Sequence, residues 1–119
     1  MMYASATTTE ELLAAAGLPT HRVPTHPGQV LFLDYLEPRG ITQVKVAHDL
    51  GIKLARLNEI IKGKRRVTEE TALLFERYLG CPAGTWLNLQ HAYDLALAIR
   101  KLPPKRLESI HPLSLAQAS

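Results

Sequence analysis

Only one cysteine, Cys81, occurs in the 119 residues, so no internal disulfide can staple this chain and a reducing compartment suits it. No apolar run approaches the roughly 20 residues that a membrane-spanning helix requires. No charged-then-apolar leader opens the sequence, and the cytoplasm is the expected location. The five histidines, His21, His26, His48, His91 and His111, fall at no metal-ligand spacing, and Cys81 has no second thiol to join. Gly63-Lys64 lacks the glycine five residues ahead that a phosphate loop needs. These absences argue against an enzyme and call for no metal and no cofactor. No stretch alternates like a strand and no segment repeats. Cys81, between Gly80 and Pro82, reads as a small apolar filler.

What the chain does contain is helices marked off by breakers. Residues 1–25 are small and polar, an arm expected to be flexible, with a short helix over Glu10 to Ala16 that Gly17 would end. Pro27 and Gly28 open a helix that runs to about Glu37 and stops before Pro38 and Gly40. Two short helices follow, near 43–50 and 53–62, the second ended by Gly63. A fourth should run from Thr68 to Leu79, with Thr68 as N-cap and Glu69 and Glu70 at its positive end. A fifth should span Ala83 to Leu102, ended by Pro103 and Pro104. The expected fold is all-α, a five-helix domain over 26–102 with an arm before it and a tail, 103–119, after it. A chain this short forms one domain and is marginal as a monomer.

The most informative stretch is Gln43 to Lys62, which reads as a helix-turn-helix. Ala47 is small enough for two helices to cross closely, and Gly51 can take positive φ in the turn between them. Val46, Leu50, Ile52, Leu57 and Ile60 form an apolar seam at helical spacing, and Thr42 is placed to cap the first helix. From Arg39 to Arg66 eight basic residues face only Asp49 and Glu59, a net of +6. Since the whole chain carries +3, the remainder sums to −3, and the positive charge sits on this one element. The partner such a footprint fits is double-stranded DNA.

In this architecture the second helix enters the major groove and its first residues reach base edges. Those residues are Lys53, Leu54, Ala55 and Arg56, then Asn58 and Glu59. Lysine donates to guanine, asparagine pairs with adenine, and glutamate accepts from cytosine. Leu54 and Ala55 suit a thymine methyl, although Leu54 equally suits partial core burial. Glu59 could instead pair with Lys62. Gln43 should bond a phosphate and set the register, and Lys45, Lys62, Lys64, Arg65 and Arg66 belong with the backbone-facing charge.

Several motifs in order resemble HigA-type antitoxins: His26-Pro27-Gly28, Leu36-Glu37-Pro38, Asn58-Glu59-Ile60-Ile61 before Gly63-Lys64-Arg65, Trp86-Leu87-Asn88-Leu89-Gln90 and Tyr93-Asp94-Leu95. The resemblance covers His26 to Leu102. It implies a five-helix, lambda-repressor-like domain, a homodimer that binds a palindromic operator in its own promoter, and autoregulation as a transcriptional repressor. It also implies a cognate toxin protein, a HigB-like mRNA endonuclease, as second partner. The competing reading is a stand-alone regulator of the same helix-turn-helix (XRE) class with no toxin.

Two apolar stretches exceed what the domain itself needs. The first helix, Val30 to Leu36, is apolar nearly all round, where related antitoxins often carry charge at Phe32 and Leu33. Those two residues either face the toxin or are covered by the arm. In the fifth helix Leu95, Ala96, Leu97, Ala98 and Ile99 cover every azimuth, so Leu95, Ala96, Ile99 and Leu102 are expected at a dimer interface. Trp86 and Tyr93 read as core anchors, and Asn88 and Gln90 as capping or bridging groups.

Overall fold

Threonine side chains start three of the helices. Thr8 Oγ1 accepts from the Glu11 amide while Glu11 reaches back to the Thr8 amide, a reciprocal box. Thr42 Oγ1 accepts from the Lys45 amide and Thr68 Oγ1 from the Thr71 amide. The computed structural model describes residues 8–114; residues 1–7 of the arm and 115–119 of the tail lie outside the described residues. Among the described residues the order is α1 (Thr9–Ala15), α2 (Pro27–Val30), α3 (Gln43–Leu50), α4 (Leu54–Ile61), α5 (Glu69–Leu79), α6 (Ala83–Lys101) and α7 (Pro104–Glu108). No strand occurs among them.

The all-α class holds; α1 is the short helix expected in the arm, starting and ending one residue earlier, and α7 is additional to the expected set. α2 also does not stop before Pro38. It continues through a π-helical turn, Leu31–Leu36, in which the Glu37 amide donates to the Phe32 carbonyl, and a 3-10 turn, Glu37–Arg39, that contains Pro38. Proline is tolerated there because the opening residues of a turn have no intrahelical carbonyl to bond. Gly40, at φ +62°, makes the actual stop.

The chain divides into two units, residues 24–93 and the pair of segments before and after them. The larger is built on Leu31, Leu36, Val46, Leu57, Ile60, Val67, Phe75 and Trp86, all buried. Trp86 meets Phe75 edge-on at 5.0 Å and Tyr35 at 5.7 Å. Gln90 is buried and accepts the Val67 amide at 2.7 Å, so it bridges α6 to the loop before α5; Asn88 is exposed. In the smaller unit Leu13 of α1 packs on Ala96 and Ile99 of α6. The arm is therefore not loose over α1: an amphipathic turn that buries one leucine gains enough contact to dock.

Candidate nucleic-acid interface

The two helices α3 and α4 meet as the sequence indicates. Val46, Ala47, Leu57 and Ile60 are buried, and Leu50 and Ile52 half-buried, between them and the rest of the larger unit. Gly51 takes φ +71° at the turn, with the Ile52 amide bonded to the Ala47 carbonyl at 3.0 Å. α4 ends in the same way: Gly63 at φ +75° sends its amide to Ile60 O, and Lys64 sends its own to Glu59 O.

The start of α2 fixes that end of α4. Gly28 lies against the last turn so closely that a Cβ there would stand 1.8 Å from the Ile60 carbonyl oxygen. Gln29 Nε2 donates to the Ile61 carbonyl at 2.7 Å, satisfying one of the acceptors a helix leaves open at its C-terminus. Buried His26 caps α2 by accepting the Gly28 amide on Nδ1 at 2.9 Å, and its ring meets Tyr93 edge-on at 4.8 Å. The sequence shows His26-Pro27-Gly28 as a motif; its job of seating α4 becomes visible only in three dimensions.

On the outer side, Gln43, Val44, Leu54, Ala55 and Asn58 line an open groove of about 590 Å³ between α3 and α4. Asn58 Nδ2 donates to Gln43 Oε1 at 3.1 Å, joining the two helices. Val44 is 63% exposed and Leu54 45% exposed, so Leu54 faces outward and is not core. Val44 was not among the expected contact residues. The signal for it is its place on α3, two residues from Val46 and six from Leu50, off the buried seam.

Two of the expected base readers are engaged elsewhere. Arg56 Nη2 donates to Thr71 Oγ1 at 2.8 Å and lies 3.8 Å from Glu70, so its guanidinium is held by the first turn of α5. Glu59 Oε1 accepts from Arg65 at 2.8 and 2.9 Å; its partner is Arg65 in the following loop and not Lys62. Lys53, Lys62 and Lys64 are exposed, as are Arg65 and Arg66. Lys45 is also exposed, with its ammonium 3.0 Å from Asp49. Asp49 in turn accepts a hydrogen bond from the Tyr78 hydroxyl of α5. That bond, and then Lys45, hold the Asp49 carboxyl below its ordinary range; Asp49 in return raises both Tyr78 and Lys45.

Of the residues outside this face, Leu33 is 47% exposed, whereas Phe32 is half-buried against the larger core. The four residues expected at a dimer interface do not behave alike. Ala96 and Ile99 are buried within the chain beside Leu13, Leu95 is half-buried, and Leu102 is exposed. A single helix read alone shows only that these positions need cover, not that α1 supplies it.

The arrangement of α3, α4 and their basic surround is that of a helix-turn-helix domain, and the family model of that description matches residues 33–86. Virulence-associated protein I of Dichelobacter nodosus is 44% identical over 73 residues, 61% of this chain and 68% of that protein. Antitoxin HigA-1 of Vibrio cholerae serotype O1 is 36% identical over 76 residues, 64% of this chain and 71% of that one. The structure of the Pseudomonas aeruginosa antitoxin HigA with the higBA promoter superposes at a TM-score of 0.71 and 30% identity, covering 76% of this chain and 98% of that chain. The chain belongs to the HigA-type antitoxins of the helix-turn-helix (XRE) family. No helix among the described residues is long and apolar enough to cross a membrane.

Proposed function

We propose that this chain is the antitoxin of a toxin–antitoxin pair, that it represses its own promoter as a homodimer, and that it neutralises a HigB-like mRNA endonuclease. The observation that carries the DNA half is the open α3–α4 groove on helices that carry exposed Lys45 and, at the start of α4, Lys53, with exposed Lys62, Lys64, Arg65 and Arg66 following directly after α4. Phosphates need cations at the rim and base edges need a concave reader between them, and the face supplies both. Gln43 and Asn58, tied to each other, set the register of α4; Lys53, Leu54 and Ala55 present its leading edge to the bases. Arg56 acts by anchoring α4 to α5, and Glu59 by fixing Arg65.

The dimer half rests on the smaller unit. Leu12, Ala15, Ala16, Leu95 and Ile99 line an apolar cleft of about 260 Å³, and Leu102 lies exposed directly after the end of α6, the helix that carries Leu95. With Ala96 already covered, Leu95, Leu102 and the rim of Ile99 are the parts left for a second copy. Leu33 is the residue of the expected toxin-facing pair that is open to a partner, whereas Phe32 packs partly against the larger core.

The test is binding of the purified protein to the DNA upstream of its coding sequence, against a scrambled duplex, across a salt series, with co-purification of the neighbouring gene product. Selective binding with a steep salt slope, together with capture of a small basic partner, is the expected result. Selective binding with no captured partner would leave a stand-alone regulator, and loss of selectivity would remove the repressor reading.

A further inference from the structure

We infer that the half-site is read through an A·T pair, with the thymine 5-methyl group seated between Val44, Leu54 and Ala55 and the adenine edge on the Gln43–Asn58 amides. This rests on the operator-binding reading and specifies its chemistry. The charged side chains that would read guanine or cytosine from the middle of α4 are committed: Arg56 to Thr71, and Glu59 to Arg65. What faces outward from the groove is mostly carbon. Exposed apolar side chains scattered singly mean nothing, but Val44, Leu54 and Ala55 converge on one concave surface from two helices.

Only one base carries an apolar group into the major groove, and it is thymine. Its partner adenine presents an N7 acceptor beside an N6 donor. The bond from Asn58 Nδ2 to Gln43 Oε1 leaves Asn58 Oδ1 to accept and Gln43 Nε2 to donate, the complement of that pattern. Methyl seat and amide pair adjoin in the same groove, so together they match adenine N7, adenine N6 and the thymine methyl of one A·T pair. A protein ligand would fit the carbon surface but would have to dock on a helix pair that carries exposed Lys45, Lys53 and Lys62. A polyanion is drawn to that charge.

The experiment changes the DNA and leaves the protein intact. The footprint on the chain's own upstream DNA is mapped first, and every thymine inside it is then replaced by deoxyuridine, which keeps pairing and removes only the methyl. One methyl withdrawn from water is worth about fourfold in affinity, so one per half-site in a two-half-site operator predicts a loss of about fifteenfold. Thymines replaced outside the footprint should cost nothing. A Val44→Ala, Leu54→Ala double variant should bind the thymine duplex more weakly and discriminate thymine from uracil by less than about twofold, since the two changes remove the same contact. Equal affinity for thymine and uracil duplexes, with preference over a scrambled duplex intact, overturns the methyl reading and leaves operator binding standing. No preference for the unmodified duplex over the scrambled one overturns both.

Discussion

The α-carbon of Gly28 and the carbonyl oxygen of Ile60 are so close that no side chain fits between them: a Cβ on Gly28 would approach that oxygen to 1.8 Å. The opposing atom is backbone in the last turns of α4, so it cannot swing aside as a side chain could. Gly28→Ala is therefore expected to cost about 3 kcal/mol, the upper part of the usual overpacking range. Thermal unfolding reads this directly. An unchanged melting temperature would show that α2 does not hold α4.

Gln29→Ala tests the same junction more gently. It removes the donor to Ile61 O without adding volume, and a lost hydrogen bond of this kind costs about 1 kcal/mol. Operator affinity should fall with it, because the end of α4 frays.

Arg56 and Thr71 should behave as a unit. Thr71 is buried and accepts the Arg56 guanidinium, and Arg56 is 30% exposed, so the bond is partly screened. Thr71→Val and Arg56→Ala are each expected to cost about 1 kcal/mol of stability. The double variant should cost less than the sum of the two. Arg56→Ala should weaken binding to operator and scrambled duplexes alike. A collapse of the ratio between them would instead make Arg56 a base reader.

Lys62 and Lys64 are exposed beyond the end of α4, where a phosphate strand would pass. Replacing either with alanine should lower the slope of log affinity against log salt by about 0.9 and leave sequence preference untouched. A change in preference without a change in slope would contradict a backbone role for these lysines.

The Asp49 cluster predicts a pH dependence. Its carboxyl is held below the ordinary range, first by the Tyr78 hydroxyl and then by Lys45. A depressed carboxyl contributes stability above its unfolded pKa and loses it as pH falls through the folded one. Asp49→Asn should therefore be less stable than the parent near neutrality, with the difference vanishing on acidification below the usual carboxylate range. A difference that persists in acid would assign the effect to packing.

The core of the domain was legible because it obeys local rules. Val46, Leu57 and Ile60 repeat at helical spacing, Gly51 and Gly63 mark the two turns, and Thr42 and Thr68 sit where helices begin. The intramolecular partners of Arg56 and Glu59 were not legible, because nothing in α4 itself says that Thr71, 15 residues on, will lie under the guanidinium. The docking of α1 was hidden for the same reason: Leu13 meets Ala96 and Ile99, more than 80 residues away along the chain. The exposure of Val44 was legible from its azimuth on α3, off the seam of Val46 and Leu50.

The π-helical turn at Leu31–Leu36 carries a consequence about chain length. Its bond from Glu37 to Phe32 encloses one more residue than an ordinary helical turn. Deleting a single residue between Phe32 and Tyr35 would close the wide turn to an ordinary one, because one residue fewer at the common pitch spans nearly the same angle. Pro27–Val30 would keep nearly its bearing on Leu36, with Gly28 still at Ile60 and Gln29 still at Ile61. The same deletion inside a regular helix would turn everything beyond it by about 100°. The turn thus behaves like a slack link: a relative one residue shorter there would keep the seat of α4.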